Sequence, residues 1–403
     1  MHRSPPSCWP SYSPDEINAV QAVLISGKVN YWTGELCRNF EDEFARWVGS
    51  KFAVSLMNGT VALELALRAL GVGHGDEVVV TPRSFIASAA CVLNVGATPV
   101  FVDVDLDSGN ITPEGITMAL TTKTKAVICV HLAGWPCDMD PIMSLSREHG
   151  FYVIEDCAQA HGAKYRGRSV GNIGHIGAWS FCQDKIMTTG GEGGMVTCND
   201  ESLWSRMWAY KDHGKDIELV KRKPSGAGFR WLHGSFGTNW RMLEVQAAIG
   251  LIQLGRMSAW TRGRTYNAMI LRDAMLPFSG DSGIVRVPSV KCRSCVSSQC
   301  ECVHAYYKFY AYLKPENLRP GWTRDRVVEE MNSSGVPCFT GSCPEIYLEK
   351  SFACTNYRPS SRLPNARKLG DTSLMFLVHP TLTTDELNSA VDSIQRILGM
   401  AVK

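Results

Sequence analysis

Between Phe52 and Cys198 the chain repeats one unit: a short, nearly unbroken apolar run, then a stretch of helical composition. "FAVSLMN" reads as a strand, and 59–70 as a helix with Val61, Leu65 and Ala69 among its buried positions. "DEVVVTP" is a strand before a helix over 84–94. "TPVFVDVD" and "AVICVHL" are strands with helical "PEGITMAL" between them, and "DPIMSLSREHG" is a helix stopped by glycine ahead of the strand "FYVIED". "AWSFCQ" and "GGMVTCN" extend the series. Strands that are apolar throughout are buried on both faces, and helices between them imply a mostly parallel sheet covered on each side. The expected class is α/β.

At 403 residues the chain exceeds what one core usually organises, so two domains are expected. The pattern changes after Asn199. "ESLWSRMWAYKDHG" is a helix with a glycine stop, and "KDIELVKRKPSGAGFRWLHGSFGTN" is a long, polar, glycine-rich loop. "RMLEVQAAIGLIQLGRM" is an amphipathic helix. Beyond about Arg256 a smaller α+β unit is expected, with "AYYKFYAYL" as its clearest strand and "TTDELNSAVDSIQRIL" as its closing helix. The expected division is a large domain over 1–255, including the N-terminal segment, and a small C-terminal domain over 256–403.

A net charge of +2 supplies no electrostatic reason to bind nucleic acid or an acidic membrane. No apolar stretch reaches the roughly 18 to 20 residues that span a bilayer. The opening "MHRSPPSCWPSYSPDE" lacks the apolar centre of a secretory signal, so the cytoplasm is the expected location. Fifteen cysteines, an odd number scattered through apolar runs, suit reduced and buried thiols. One cluster stands apart: Cys292, Cys295, Cys300 and Cys302 in "KCRSCVSSQCEC". Four thiolates can close a tetrahedron round a structural zinc ion, although these pairs stand closer together than in common zinc modules. The other reading is a reduced surface loop, and neither makes the cluster catalytic. No catalytic metal is expected, since the ten histidines show no paired metal-ligand spacing.

In open parallel sheets, ligands bind beyond the carboxyl ends of the strands. After the first strand come Gly59 and Thr60 at a helix N-terminus, where free amides and the helix dipole favour a phosphate, or where an N-cap alone is needed. After the second comes Phe85, an aromatic face able to stack. After "FYVIE" comes Asp156, then Gln159 about one turn on. A carboxylate at a buried strand end needs a cationic or donor partner, or it takes up a proton. Ser180 and Lys185 follow on "SFCQDKIMTTGGEGGMV", where glycines crowd the loop after the lysine. A phosphate cradle, an aromatic plate, a carboxylate and a loop lysine are the parts that pyridoxal 5′-phosphate (PLP) requires.

"NGTVALELALRALGVGHGDEVVVTPRSFIASA", "VIEDCAQAHGAKYRG", "GAWSFCQDKIMTTGGEGGMV" and "GTNWRMLEVQAAIGLIQL" resemble the DegT/DnrJ/StrS aminotransferase family, the sugar aminotransferases. The resemblance runs from about Phe40 to Leu254 and continues more loosely through "HAYYKFYAY", "GVPCFTGSCPEIY" and "LMFLVHP". It implies the fold-type I PLP architecture, with a large three-layer domain and a smaller α+β one. It implies that Lys185 forms a Schiff base with PLP and later moves a proton, and that Asp156 pairs with the pyridinium nitrogen. Gln159 would sit against the ring or its phenolic oxygen, and Phe85 would stack on the ring. Gly59, Thr60 and Ser180 would hold the phosphate. Asn239 would reach that phosphate across a homodimer interface, giving shared active sites. His213, Arg230, His304 and Tyr306 lie in segments resembling substrate-facing ones, and each also has a structural reading.

The expected reaction aminates a keto-sugar, usually nucleotide-linked, with a donor such as glutamate, in amino-sugar or polysaccharide biosynthesis. Alternatives on the same scaffold are a PLP-dependent sugar dehydratase, a non-catalytic regulator and a cysteine desulfurase. The dehydratase branch replaces the Schiff-base lysine by histidine, so Lys185 argues against it, and a regulator has no need of that lysine. The cysteine-rich insert before "HAYY" departs from the family pattern.

Overall fold

The computed structural model describes residues 8–222, 228–289 and 301–403. Two helices, α1 (Pro14–Ser26) and α2 (Leu36–Val48), precede the first strand. Then come β1 (Phe52–Leu56), α3 (Gly59–Ala69), β2 (Glu77–Val80), α4 (Ala87–Asn94), β3 (Thr98–Phe101), α5 (Pro113–Ala119), β4 (Thr124–Val130), α6 (Met139–His149) and β5 (Tyr152–Asp156). A small hairpin, β6 (Lys164–Tyr165) and β7 (Arg168–Ser169), leads to β8 (Ile176–Ser180) and β9 (Gly194–Cys198).

All of these strands except the hairpin form one seven-stranded sheet in the order β1-β9-β8-β5-β4-β2-β3. β9 is antiparallel to both its neighbours, and the run β8-β5-β4-β2-β3 is parallel throughout. Successive side chains feed opposite layers, as strand geometry requires. Val78, Val80, Ile128 and Ile154 enter one core with α3 and α4, whereas Val79, Val127 and Val153 enter another with α6. This is the expected α/β class, a mostly parallel sheet with helices on both faces. Local chemistry sets the element ends. Asn58 accepts from the Val61 amide to start α3, and Gly150, at φ 77°, closes α6 in the left-handed conformation that glycine adopts at little cost.

The remaining helices of the first half are α7 (Glu201–Lys211) and α8 (Ile217–Lys221). The helix expected to stop at a glycine ends at Lys211, and His213 already has φ 59°. The expected long loop contains α8, because the Asp216 carboxylate accepts from the Glu218 and Leu219 amides and nucleates a turn. Next, α9 (Glu244–Met275) runs for 32 residues. A second sheet follows, with β10 (Val285–Arg286), β11 (Phe309–Leu313), β12 (Cys338–Phe339) and β13 (Ser373–Phe376) antiparallel in the order β10-β11-β13-β12. It carries α10 (Arg324–Ser333), α11 (Pro364–Thr372) and α12 (Thr384–Ala401).

α9 passes straight through position 255 and packs against both sheets' cores. Ala247, Leu254 and Met257 pack with α2, whereas Ala268, Leu271 and Met275 join the core of the second sheet. Cys37, Cys91, Cys129, Cys137, Cys157, Cys198 and Cys338 are buried free thiols. Cys292, Cys295 and Cys300 lie outside the described residues, and Cys302 accepts from the Arg166 amide at 3.2 Å.

Candidate active site

The carboxyl ends of β1, β2, β5 and β8 open on one cavity of about 770 Å³, lined among others by Gly59, Thr60, Phe85, Asp156, Gln159, Ser180 and Lys185. Seven residues far apart in the chain meet there because parallel strands deliver their ends to the same edge.

At the α3 end, Asn58 satisfies the Val61 amide at 3.0 Å, leaving the Gly59 and Thr60 amides with no partner inside the helix. A Cβ at Gly59 would stand 2.5 Å from the Ser180 Cβ, so only glycine lets the helix start this close to β8. Two outward amides, two hydroxyls and the positive end of a helix make a seat for a phosphate.

Across the cavity, strand parity separates two adjacent acids. Glu155 turns into the protein, where it accepts from the amides of Gly171, Ile173 and Gly174 at 2.7–2.9 Å and contacts His131 Nε2 at 3.0 Å. Burial alone would raise its pKa, but His131 and those amides prevail and hold it below the usual carboxylate range. His131 Nδ1 accepts from the Cys137 amide, which places the ring proton on Nε2, toward Glu155. His131, Glu155 and Cys157 come close enough to ligate a metal, but both nitrogens of that histidine are already committed.

Asp156 faces the cavity with fewer partners. It accepts from Ser88 Oγ at 2.9 Å and from the Ala158 amide at 3.1 Å, and Ser88 is in turn 3.0 Å from Ser84 Oγ. Burial raises its pKa, and the Ala158 amide, the Ser88 hydroxyl and Lys185 only partly offset the rise. Among the described residues no cation comes within 4.0 Å of it. Such a carboxylate is suited to a cationic ring nitrogen. Gln159 Oε1 accepts from the Ala133 amide at 2.8 Å, which leaves its NH₂ group to donate into the cavity. Phe85 is 66% exposed within one chain, a flat apolar face standing free at the mouth.

Lys185 sits half-buried on the loop between β8 and β9. Gly190 and Gly191, at φ 85° and 111°, turn that loop back in a conformation that disfavours side chains. Its outer side is fastened by the Thr188 amide donating to Gln253 on α9 and by Trp9 Nε1 donating to the Lys185 carbonyl at 2.7 Å. The ammonium lies 5.1 Å from the Tyr307 ring centroid and 3.9 Å from Asp184, whose carboxylate accepts from the Tyr307 hydroxyl. The loop lysine therefore approaches the cavity from a braced backbone.

Five other residues singled out in the sequence lie elsewhere within one chain. His304 and Tyr306 stack on each other at 3.9 Å and line a separate cavity with Trp135 and Arg272. The next two residues, Tyr307 and Lys308, are the ones that line the large cavity. Arg230 donates to the Leu219 and Arg222 carbonyls at the end of α8. His213 is exposed, and its carbonyl meets His233 Nδ1 at 2.9 Å. Asn239 is exposed, bridges to Asp212, and lies outside the cavity. Ser88, Tyr307 and Lys308 were not singled out. Ser88 lies one helical turn beyond Phe85, which is the one local clue to it.

A phosphate seat, a buried carboxylate with no cation within 4.0 Å among the described residues and a braced lysine line one cavity, and that set of groups fits the phosphate, ring nitrogen and aldehyde of PLP. Fold and cavity together define a fold-type I PLP enzyme. The chain belongs to the DegT/DnrJ/EryC1/StrS aminotransferase family, whose model matches residues 10–395, and the protein is accordingly a PLP-dependent aminotransferase. It resembles the solved aminotransferase from Psychrobacter cryohalolentis, with 59% identity and a TM-score of 0.95 over 98% of this chain and 99% of that one. It is 44% identical to the GDP-perosamine synthase of Caulobacter vibrioides over 91% of each chain. The spore coat polysaccharide biosynthesis protein SpsC of Bacillus subtilis is 32% identical, over 98% of this chain and 97% of that protein.

Proposed function

We propose that this aminotransferase moves an amino group from an amino-acid donor such as glutamate to a nucleotide-linked keto-sugar, in amino-sugar or polysaccharide biosynthesis. The observation that carries the reading is the meeting of Lys185, Asp156, Gly59 and Ser180 in one cavity. The similarity to GDP-perosamine synthase supports a GDP-linked substrate, and that to SpsC supports a polysaccharide pathway. PLP, when bound, supplies an electron-withdrawing ring and a carbon that can exchange amines.

The chain's own residues do the rest. Gly59, Thr60 and Ser180 would anchor the phosphate, and Phe85 would offer the ring an apolar face. Asp156 would hold a proton on the ring nitrogen, and the Gln159 amide would donate to the cofactor. Lys185 Nζ would carry the proton that the amine exchange requires, with Asp184 and Tyr307 beside that amine. Cys37, Cys91, Cys129, Cys137, Cys157, Cys198 and Cys338 are buried free thiols, which supports a reducing, cytoplasmic location. Among the described residues no helix is long and apolar enough to cross a membrane.

Glutamate added to the PLP-loaded protein should yield one equivalent of 2-oxoglutarate per site, and a GDP-linked keto-sugar should then gain an amine by mass spectrometry. No oxoacid from any amino acid tested would end this reading.

The reading includes a homodimer. Phe229, Trp231 and Phe236 are 79%, 85% and 99% exposed on the segment before Asn239, large apolar side chains that a partner surface would cover. A second copy covering that segment brings Asn239 to its neighbour's phosphate seat. Asn239→Ala should then lose activity by about tenfold or more, the loss of a hydrogen bond to a charged group. Mixing it with inactive Lys185→Ala protein, after subunit exchange, should restore activity, because one mixed site has both residues. If Asn239 acts within its own chain, no mixture recovers.

A further inference from the structure

The catalytic cavity holds a second amine. Lys308 precedes β11, and its Nζ lies 4.7 Å from the centroid of the Tyr307 ring that Lys185 Nζ approaches to 5.1 Å. One aromatic ring, tied down by its hydroxyl to Asp184, is thus shared by two ammonium groups. Among the described residues no hydrogen bond is made by the Lys308 amine, and no carboxylate comes within 4.0 Å of it. Burial drives its pKa down to about 8, and Asp184 only partly opposes that fall, which Arg264 and Lys185 deepen. A half-buried cation without a counter-ion is unfavourable unless something brings the anion. Its position beside Lys185 limits what that something is. The donor's nitrogen must reach the place where Lys185 acts, and its carboxylates follow within a few bonds. The diphosphate of a nucleotide-linked sugar stays a whole sugar ring away from the carbon that reacts.

We propose that Lys308 is a donor-recognition residue, its ammonium pairing with a carboxylate of the amino-acid substrate while Tyr307 keeps it apart from Lys185. This rests on the aminotransferase reading of the same cavity. The test uses PLP-loaded protein and two ligands that do not react: glutarate for the donor's carboxylates and GDP for the nucleotide. By calorimetry, Lys308→Met should weaken glutarate about tenfold or more, the usual effect of losing a charge-assisted contact, with GDP affinity unchanged. Lys308→Arg should keep most of the glutarate affinity, and the thermal midpoint of Lys308→Met should equal or exceed the parent's, since the methionine removes a half-buried cation without a counter-ion. Unchanged glutarate affinity in Lys308→Met would overturn the proposal, as would weakened GDP with glutarate intact, which would assign the cation to the sugar nucleotide. Parent protein that releases no 2-oxoglutarate from glutamate would break the aminotransferase reading instead. Parent protein that does so, beside a Lys308→Met variant that binds glutarate normally, would break only the assignment of Lys308.

Discussion

Lys185→Ala is expected to lower turnover by more than about 10⁴-fold, because the proposed function gives one amine two tasks, covalent anchor and proton carrier. The visible absorbance of the bound cofactor should shift to that of free PLP, while the phosphate seat still retains the molecule. Folding should hardly change. Among the described residues the Lys185 amine makes no hydrogen bond, and its nearest carboxylate, on Asp184, lies 3.9 Å away with that side chain 58% exposed. Such a pair contributes little to stability. The backbone contacts that brace the loop, from Trp9 to the Lys185 carbonyl and from the Lys185 amide to Cys182, do not involve the side chain. Lys308 is no substitute, since it reaches the same Tyr307 ring from a different segment of chain. Measuring turnover, absorbance and thermal midpoint on one preparation separates chemistry from unfolding. Parent-like turnover in the alanine protein would remove the assignment.

The parts of this site that were legible in the sequence are those set by strand ends. Asp156 could be placed because an acidic pair closing an apolar run has to emerge at a sheet edge, and Gly59 because a helix had to start after β1. The segment "HAYYKFYAY" shows where such reading stops. It identified the neighbourhood, but His304 and Tyr306 line the cavity beside Trp135, and Tyr307 and Lys308 line the large one. Which face a residue takes depends on strand parity, and Tyr306, at φ 48°, breaks the alternation just before β11 begins at Phe309. Ser88 was hidden for another reason. Its hydroxyl serves Asp156, 68 positions away, and no local pattern encodes a contact at that separation. The extent of α9 depended on tertiary contacts too, since its first turns pack on α2 and its last on the second sheet. No composition change marks that transfer. Asn239 is exposed and lies outside the cavity of its own chain, so its proposed role rests on a second copy.

Asp156→Asn should produce the second large effect, and with a sign that a purely structural carboxylate would not show. Turnover of the PLP-loaded protein should fall by about 10² to 10³-fold, the usual loss when a preorganised electrostatic partner is removed. The neutral amide no longer holds a proton on the ring nitrogen. Stability of the cofactor-free protein should behave oppositely. Burial raises the Asp156 pKa above its ordinary value of 3.8, so the fold disfavours the ionised form. For an acid raised in the folded state, the cost appears as pH climbs from the unfolded value through the folded one, and it is fully present above. At pH 8 the cofactor-free parent bears that cost, and the asparagine protein does not. Asparagine also offers a carbonyl to the Ala158 amide, and the Ser88 hydroxyl can turn to accept from its NH₂ group. The variant's thermal midpoint at pH 8 should therefore equal or exceed the parent's, and the gap should narrow as the pH falls toward the ordinary value of 3.8 and close well below it, where the parent's carboxyl is protonated in either state. Adding PLP should stabilise the parent more than the variant, since only the parent has an anion for the ring to neutralise. A variant that melts earlier than the parent without cofactor at pH 8 would make Asp156 a structural acid, and the charge opposite Lys185 would then have to come from another group.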